Sequence, residues 1–323
     1  MNRVLVTGGA GTIGSAVVRR LLSDSQWEVR VADHREPPQW MREGCEVRTT
    51  DLREAEGAGA AVHGCSHVIH LAAIVGGIAN FHKLPFTLFE VNNALTGALT
   101  HAAVDDGIER FVYVSSSMVF ERATEFPTTE AHVEDCPAPR SAYGFSKLTG
   151  EVYTRAAHDE HGLAFTICRP FNAYGPGELP EPDEPGIAHA VPDLIHKALT
   201  SRRPLEIFGS GEQTRTITHV DDIADGIVTA MAAPAGENED FNISASQELS
   251  VAELARVIWD ACGNEPAEFE LRHLPSFEVD VQRRWPSVEK AQRLLGWEAR
   301  IDLHDGIAQT VEWLREQSVS SQS

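Results

Sequence analysis

The segment Val4-Leu5-Val6-Thr7-Gly8-Gly9-Ala10-Gly11-Thr12-Ile13-Gly14 constrains this chain more than any other. It reads as a β-branched strand, a glycine-rich turn and the start of a helix. Gly8, Gly11 and Gly14 follow a GxxGxxG spacing, one residue away from the GxGxxG fingerprint of dinucleotide sites. The physical requirement is similar. The turn needs residues without Cβ, the backbone must approach a pyrophosphate closely, and the helix N-terminus offers N–H groups and a positive dipole end. A glycine triplet alone connects many strands to many helices. Here the context agrees on both sides, and an acidic residue, Asp33, ends the next strand about twenty residues on. Asp33 suits the ribose hydroxyls of an adenosine and repels a 2′-phosphate, so NAD is the expected cofactor. Arg35, close by, keeps NADP open. Asp51-Leu52 follows the third strand and fits an adenine-contacting position; a solvated loop aspartate is the alternative.

The rest of the first half continues the alternation. Strands are predicted over 3–6, 28–32, 46–50, 67–71, 111–115 and 164–168. Helices are predicted over 13–22, 85–106 and 142–161. Strands alternating with helices imply a doubly wound parallel sheet, a Rossmann-type α/β fold. Residues 174–192 are rich in Pro, Gly and Glu and read as a loop. Beyond them lie short strands (205–208, 241–243), helices (221–231, 251–262, 304–316) and a polar tail, 318–323, expected to fray. The expected division is a cofactor domain over 1–171, to which 214–245 returns, and a smaller mixed α/β substrate domain over 172–323.

Composition narrows the partners. In 323 residues, 27 Lys plus Arg stand against 48 Asp plus Glu, a net charge of −21. That field opposes nucleic acid and anionic lipid, so an anionic substrate must be met by a local cluster of arginines or helix ends. The cysteines (Cys45, Cys65, Cys136, Cys168, Cys262) are scattered and odd in number, with no CxxC spacing. No metal site or disulfide framework is expected, and a reducing cytoplasm is. No signal segment or membrane-length apolar run is read in the sequence.

Tyr143-Gly144-Phe145-Ser146-Lys147 sets a phenol and an ammonium four apart, on one helix face. A nearby Lys⁺ is expected to lower the phenol's pKa and suit it as a general base for a sugar hydroxyl. Chance pairing is the bland reading. Against it, Ser115-Ser116-Ser117 ends a predicted strand upstream and supplies a hydroxyl for the substrate oxygen.

With these residues in this order, the chain resembles the extended short-chain dehydrogenase/reductase family, the epimerases and dehydratases of nucleotide-diphosphate sugars. The resemblance runs nearly end to end. It includes TGGAGTIG, His70-Leu71-Ala72-Ala73, the serine strand, YGFSK and Arg169-Pro170-Phe171-Asn172-Ala173-Tyr174-Gly175-Pro176. It continues with Gly209-Ser210-Gly211-Glu212-Gln213-Thr214-Arg215 and Leu294-Leu295-Gly296-Trp297. It implies Ser116, Tyr143 and Lys147 as the catalytic set. It implies NAD contacts at Gly8, Gly11, Thr12, Ile13, Gly14, Asp33, Asp51, Leu52, Leu71, Ala72, Ala73 and Pro170 as well as Tyr143 and Lys147. It implies substrate contacts at Ser117, at Asn172 on the diphosphate, and at Arg215 and Arg284 as its clamp. For either arginine alone, a surface salt bridge serves equally well. The family's usual assembly is a homodimer through the helices over 85–106 and 142–161.

Position 118 discriminates within the family. Dehydratases and glucuronate decarboxylases carry a glutamate there, and the 3,5-epimerases of GDP-sugars a cysteine. Met118 has no proton to give. What it permits is a C4-epimerase, in which hydride leaves C4 and returns to the other face of a 4-ketose. Two features pull the other way. Ile74-Val75-Gly76-Gly77-Ile78 is similar to the Gly-Gly stretch of GDP-fucose synthases and GDP-mannose 3,5-epimerases, which makes Gly76 and Gly77 substrate-site candidates. His189 falls where those enzymes place a second acid/base, with a plain loop histidine as the alternative. A 3- or 5-epimerase is therefore the alternative function. An NADPH-dependent 4-ketoreductase and a catalytically silent NAD-binding protein stand further back.

Overall fold

The computed structural model describes residues 2–184, 186–200, 203–277 and 281–320. Its frame is one parallel sheet. The strands are β1 (Arg3–Thr7), β2 (Glu28–Asp33), β3 (Glu46–Thr49), β4 (His67–His70), β5 (Arg110–Val114), β6 (Phe165–Pro170) and β7 (Glu239–Ile243). They lie in the order β7-β6-β5-β4-β1-β2-β3, every neighbouring pair parallel. The principal helices are α1 (Thr12–Leu22), α2 (Pro85–Asp106), α3 (Ala142–His161), α4 (Ala190–Leu199) and α5 (Val220–Ala232).

The continuous apolar runs seen in the sequence are strands buried on both faces. Val4 and Val6 enter one core with Val17, Val18 and Leu21 of α1 and Ile223 and Ile227 of α5. Leu5, between them, enters the opposite core with Leu95 and Leu99 of α2 and Ala157 of α3. Pleating sends alternate side chains to opposite layers, and each fully buried one contributes about 1.5–3 kcal/mol. A third core, built from Leu194 and Ile195 of α4 with Leu205, Ile207, Leu254, Ile258 and Trp259, belongs to the second half.

Several boundaries differ from the sequence expectation. The stretch 174–192 is not all loop: Ala173–Tyr174 pairs with Thr218–His219, and α4 starts at Ala190. Pro192 lies in the first turn of α4, where its missing N–H has no helical partner to lose. The C-terminal helix, Leu303–Ser320, runs past 316 into the tail expected to fray, where the Ser318 hydroxyl donates to the Leu314 carbonyl at 2.9 Å; residues 321–323 lie outside the described residues. Within 214–245, β7 joins the main sheet, whereas Thr214–Thr216 pairs with Glu248–Ser250 and Arg283–Arg284 in a separate three-stranded sheet.

The order reverses between β4 and β1, and in open α/β sheets ligands bind beyond the strand ends at such a reversal. There, the Thr7 hydroxyl lies 2.9 Å from His70 Nδ1 and accepts from the Leu71 and Ala72 amides at 3.2 Å each.

Candidate active site

One cleft of about 1510 Å³ opens at this reversal and extends over the second half. Every residue singled out in the sequence for cofactor, catalysis or substrate lines it. Its volume exceeds the roughly 300–1,000 Å³ of a single small-molecule pocket, leaving room for a dinucleotide and a second ligand.

At the sheet end, the turn after β1 is packed against itself. A Cβ on Gly14 would fall 2.1 Å from the Gly8 carbonyl oxygen, so α1 starts closer to the turn than any other residue allows. This is the cradle a pyrophosphate needs, with Thr12 and Ile13 opening the helix. Asp33 does more than wait for a ribose. Its carboxylate accepts the Ala10 amide at 3.0 Å and the Arg35 amide at 2.9 Å, which ties the end of β2 to the turn. Asp51 is exposed and bonded to Arg53, whose hydrogen bonds hold its carboxyl down at about 2.

In the middle of the cleft, the three serines separate by their partners. Ser115 donates to the buried Glu151 at 2.6 Å. Ser117 lies in the short helical turn Ser117–Phe120, which Ser116 caps by accepting the Met118 amide at 3.1 Å. The Ser116 side chain is also hydrogen-bonded to Tyr143. Ser141 begins α3 by accepting the Gly144 amide at 3.1 Å, so the phenol enters the cleft from the helix's first turn.

The electrostatics correct one expectation. Burial pushes the Tyr143 phenol up to about 12, against the Ser116 hydrogen bond and the Arg284 charge, which pull it down. Lys147 is turned toward the sheet and donates to the Val114 carbonyl at 2.9 Å. Burial lowers its ammonium to about 8, with Glu151 opposing. The expected depression by the lysine is not found: burial dominates, and what opposes it comes from Ser116 and Arg284.

At the far end, Arg215 and Arg284 sit side by side in register, on paired strands. Arg284 donates to Asn172 Oδ1 at 2.9 Å, and Asn172 Nδ2 donates to the Thr216 carbonyl at 2.7 Å. Asn172 thus braces Arg284 rather than waiting solely for a diphosphate. Gly76 and Gly77 line the same end. A Cβ on Gly77 would lie 2.2 Å from the Gly186 carbonyl oxygen, which lets the turn pack on the segment leading to His189. Glu178 was not distinguished in the sequence, yet it lines the cleft and binds His189. It is one acid among several in a Pro/Gly/Glu-rich stretch, so no local pattern marks it.

The model of the NAD dependent epimerase/dehydratase family matches residues 4–244. The chain belongs to that family. Among curated relatives, a UDP-glucose 4-epimerase of Mycolicibacterium smegmatis is 34% identical, over 98% of this chain and 99% of its own. A GDP-mannose 3,5-epimerase of Oryza sativa is 29% identical, over 98% and 82% respectively. Among solved structures, a UDP-glucose 4-epimerase of Thermotoga maritima in complex with UDP-glucose superposes with a TM-score of 0.87. It is 28% identical and covers 98% of this chain and 99% of its own. The chain is therefore an enzyme of the epimerase/dehydratase family with NAD as cofactor. No described helix is long and apolar enough to cross a membrane.

Proposed function

We propose that this family member is an epimerase of a nucleotide-diphosphate sugar that inverts C4 by way of a transient 4-ketone. The observation that carries the reading is the single cleft. It joins the Gly8–Gly14 cradle to the Ser116–Tyr143–Lys147 set, and that set to the Arg215–Arg284 pair, with a thioether at position 118. The 34% identical relative named as a UDP-glucose 4-epimerase supports it. Gly8, Gly11, Thr12, Ile13, Gly14 and Asp33 would hold the dinucleotide, with Leu71–Ala73 and Pro170 beyond them. When bound, NAD supplies a reversible hydride acceptor for a sugar carbon. Tyr143 would exchange the proton of the C4 hydroxyl, Ser116 would hydrogen-bond that oxygen, the charge of Arg284 favours the phenolate, and Lys147 would support it from one turn along the same helix. Arg215 and Arg284 would clamp the diphosphate, which answers the charge of −21 locally.

We also propose a homodimer formed through α2 and α3. These helices pack along one another and expose Phe86 (76%), Val152 (60%) and Tyr153 (42%) on their outer side. Such a crest of large apolar side chains marks an association surface.

A second reading, a 3- or 5-epimerase of the GDP-mannose type, is favoured by the cleft-facing His189 paired with Glu178. The test is to incubate the protein with UDP-, GDP-, dTDP-, CDP- and ADP-hexoses and follow each by proton NMR. Interconversion of C4 epimers without net cofactor consumption is expected. Turnover of none of them would sink the proposal.

A further inference from the structure

The loop before α4 carries Glu178, Glu181, Asp183 and Glu184. Glu184 pairs with Lys83 at the surface. Glu178 turns inward. Its Oε1 accepts both the backbone N–H of His189 at 2.9 Å and the ring Nδ1 at 2.7 Å. One carboxylate oxygen thus fixes where α4 begins and how its first ring is oriented. With Nδ1 committed, Nε2 is left to meet a ligand, and 44% of the His189 side chain is open while it lines the cleft.

The charged groups around this ring come from three elements. Glu178 faces it from the loop and Arg284 from the strand Arg283–Arg284. On its own helix, Asp193 is bonded to Lys197 at 2.7 Å. Burial and Arg284 both disfavour a charged ring, yet Glu178 outweighs them and raises the His189 pKa above the ordinary 6.5. The carboxyl of Glu178 is lowered in turn, the His189 charge overcoming the effect of burial. The His189 ring, favoured in its protonated form by Glu178, sits at the start of a ten-residue helix and feels the charge of Arg284. A protonated ring at the positive end of a helix dipole, near a guanidinium, presents positive charge suited to a doubly charged anion.

We propose that Glu178 is a positioning residue that holds His189 through Nδ1 as a cationic hydrogen-bond donor to the diphosphate of the substrate, so that nucleotide-sugar affinity is gated by pH. The inference rests on the reading of the cleft as a nucleotide-sugar site. The sign follows from the ring. His189 carries its charge below its pKa, so affinity is high there and falls as pH rises through that value, above 6.5. Glu178→Gln keeps an acceptor for Nδ1 and removes the charge, so the fall moves to lower pH.

The test uses UDP-glucose and GDP-mannose, whose diphosphates do not titrate between about pH 6 and 9. Calorimetry on the NAD-loaded protein and nitrogen-edited NMR of the histidine rings are run across that range for wild type, Glu178→Gln and His189→Gln. Expected is a His189 protonated at Nδ1, titrating above 6.5. Affinity should fall on the order of ten-fold through that titration, the scale of one charged hydrogen bond. Both transitions should shift to lower pH in Glu178→Gln, and affinity should be flat in His189→Gln. The proposal is overturned if His189 titrates alike with Gln at 178, or if affinity in His189→Gln keeps the wild-type pH dependence. Binding of neither sugar would defeat the reading of the cleft and the gate with it, while the ring titration would still report separately on the Glu178–His189 pair.

Discussion

Arg284 Nη2 lies 2.9 Å from the Met118 sulfur, so the side chain two residues beyond Ser116 is held by a cation of the far wall. A thioether neither gives nor takes a proton, and this contact occupies its weak acceptor. In the proposed reaction this arrangement would leave proton exchange near Ser116 to Tyr143, and it links Arg284 to the helical turn that Ser116 caps. As a proposed diphosphate clamp, Arg284 would then have two duties.

Arg284→Ala and Arg215→Ala should each weaken nucleotide-sugar binding by about 1.5–3 kcal/mol, the range of a hydrogen bond to a charged group. Calorimetry on the NAD-loaded variants checks this. Unchanged affinity in both would remove the pair from the substrate site.

Tyr143→Phe should abolish turnover while leaving NAD and substrate affinity within a few-fold. A positioned acid–base group contributes about 10²–10⁴-fold. A variant that kept a tenth of the wild-type rate would assign the proton transfer elsewhere.

Turnover should fall as pH rises through about 8, where buried Lys147 loses its proton. The shift has the opposite effect on stability. The folded lysine is depressed from 10.5 to about 8, so in that window the unfolded chain holds more protons and this group makes folding more favourable as pH rises. A basic limb in kcat with no loss of thermal stability between pH 8 and 9 is expected. A flat kcat through that range contradicts the assignment.

Light scattering should give the mass of a dimer, and Val152→Asp, at a position 60% exposed in the single chain, should give a monomer with its fold intact. A wild-type monomer at micromolar concentration would dismiss the helical interface.

Much of the frame was legible because its signals are local. The bounds of α2 and α3 agree with the sequence reading to the residue, set by Pro85 at the start of α2, Ser141 capping α3, and Gly107 and Gly162 at their left-handed ends. The strand–turn–helix of the cofactor end is likewise written in contiguous residues. What escaped is long-range. Nothing in the sequence pairs Glu178 with His189, since the bond depends on how the loop folds back on α4. The start of α4 was hidden by Pro192, a helix breaker everywhere except the first turn. The shift of the Tyr143 phenol is not legible in the sequence, because spacing reports a lysine four residues on and neither the burial that raises the phenol nor the distant Arg284 that opposes it. The bracing bonds of Asn172 depend on Thr216 and Arg284, distant in sequence and adjacent in the fold.

Isotope content of the product tests the central claim most directly. If inversion is confined to C4, the same hydride leaves and returns without meeting solvent. A nucleotide sugar turned over in D₂O, followed by mass spectrometry and NMR, should then yield an epimer with no carbon-bound deuterium. Deuterium at C3 or C5, suppressed together with the rate by His189→Ala, would contradict the C4 account and make His189 a proton-transferring group of a 3- or 5-epimerase.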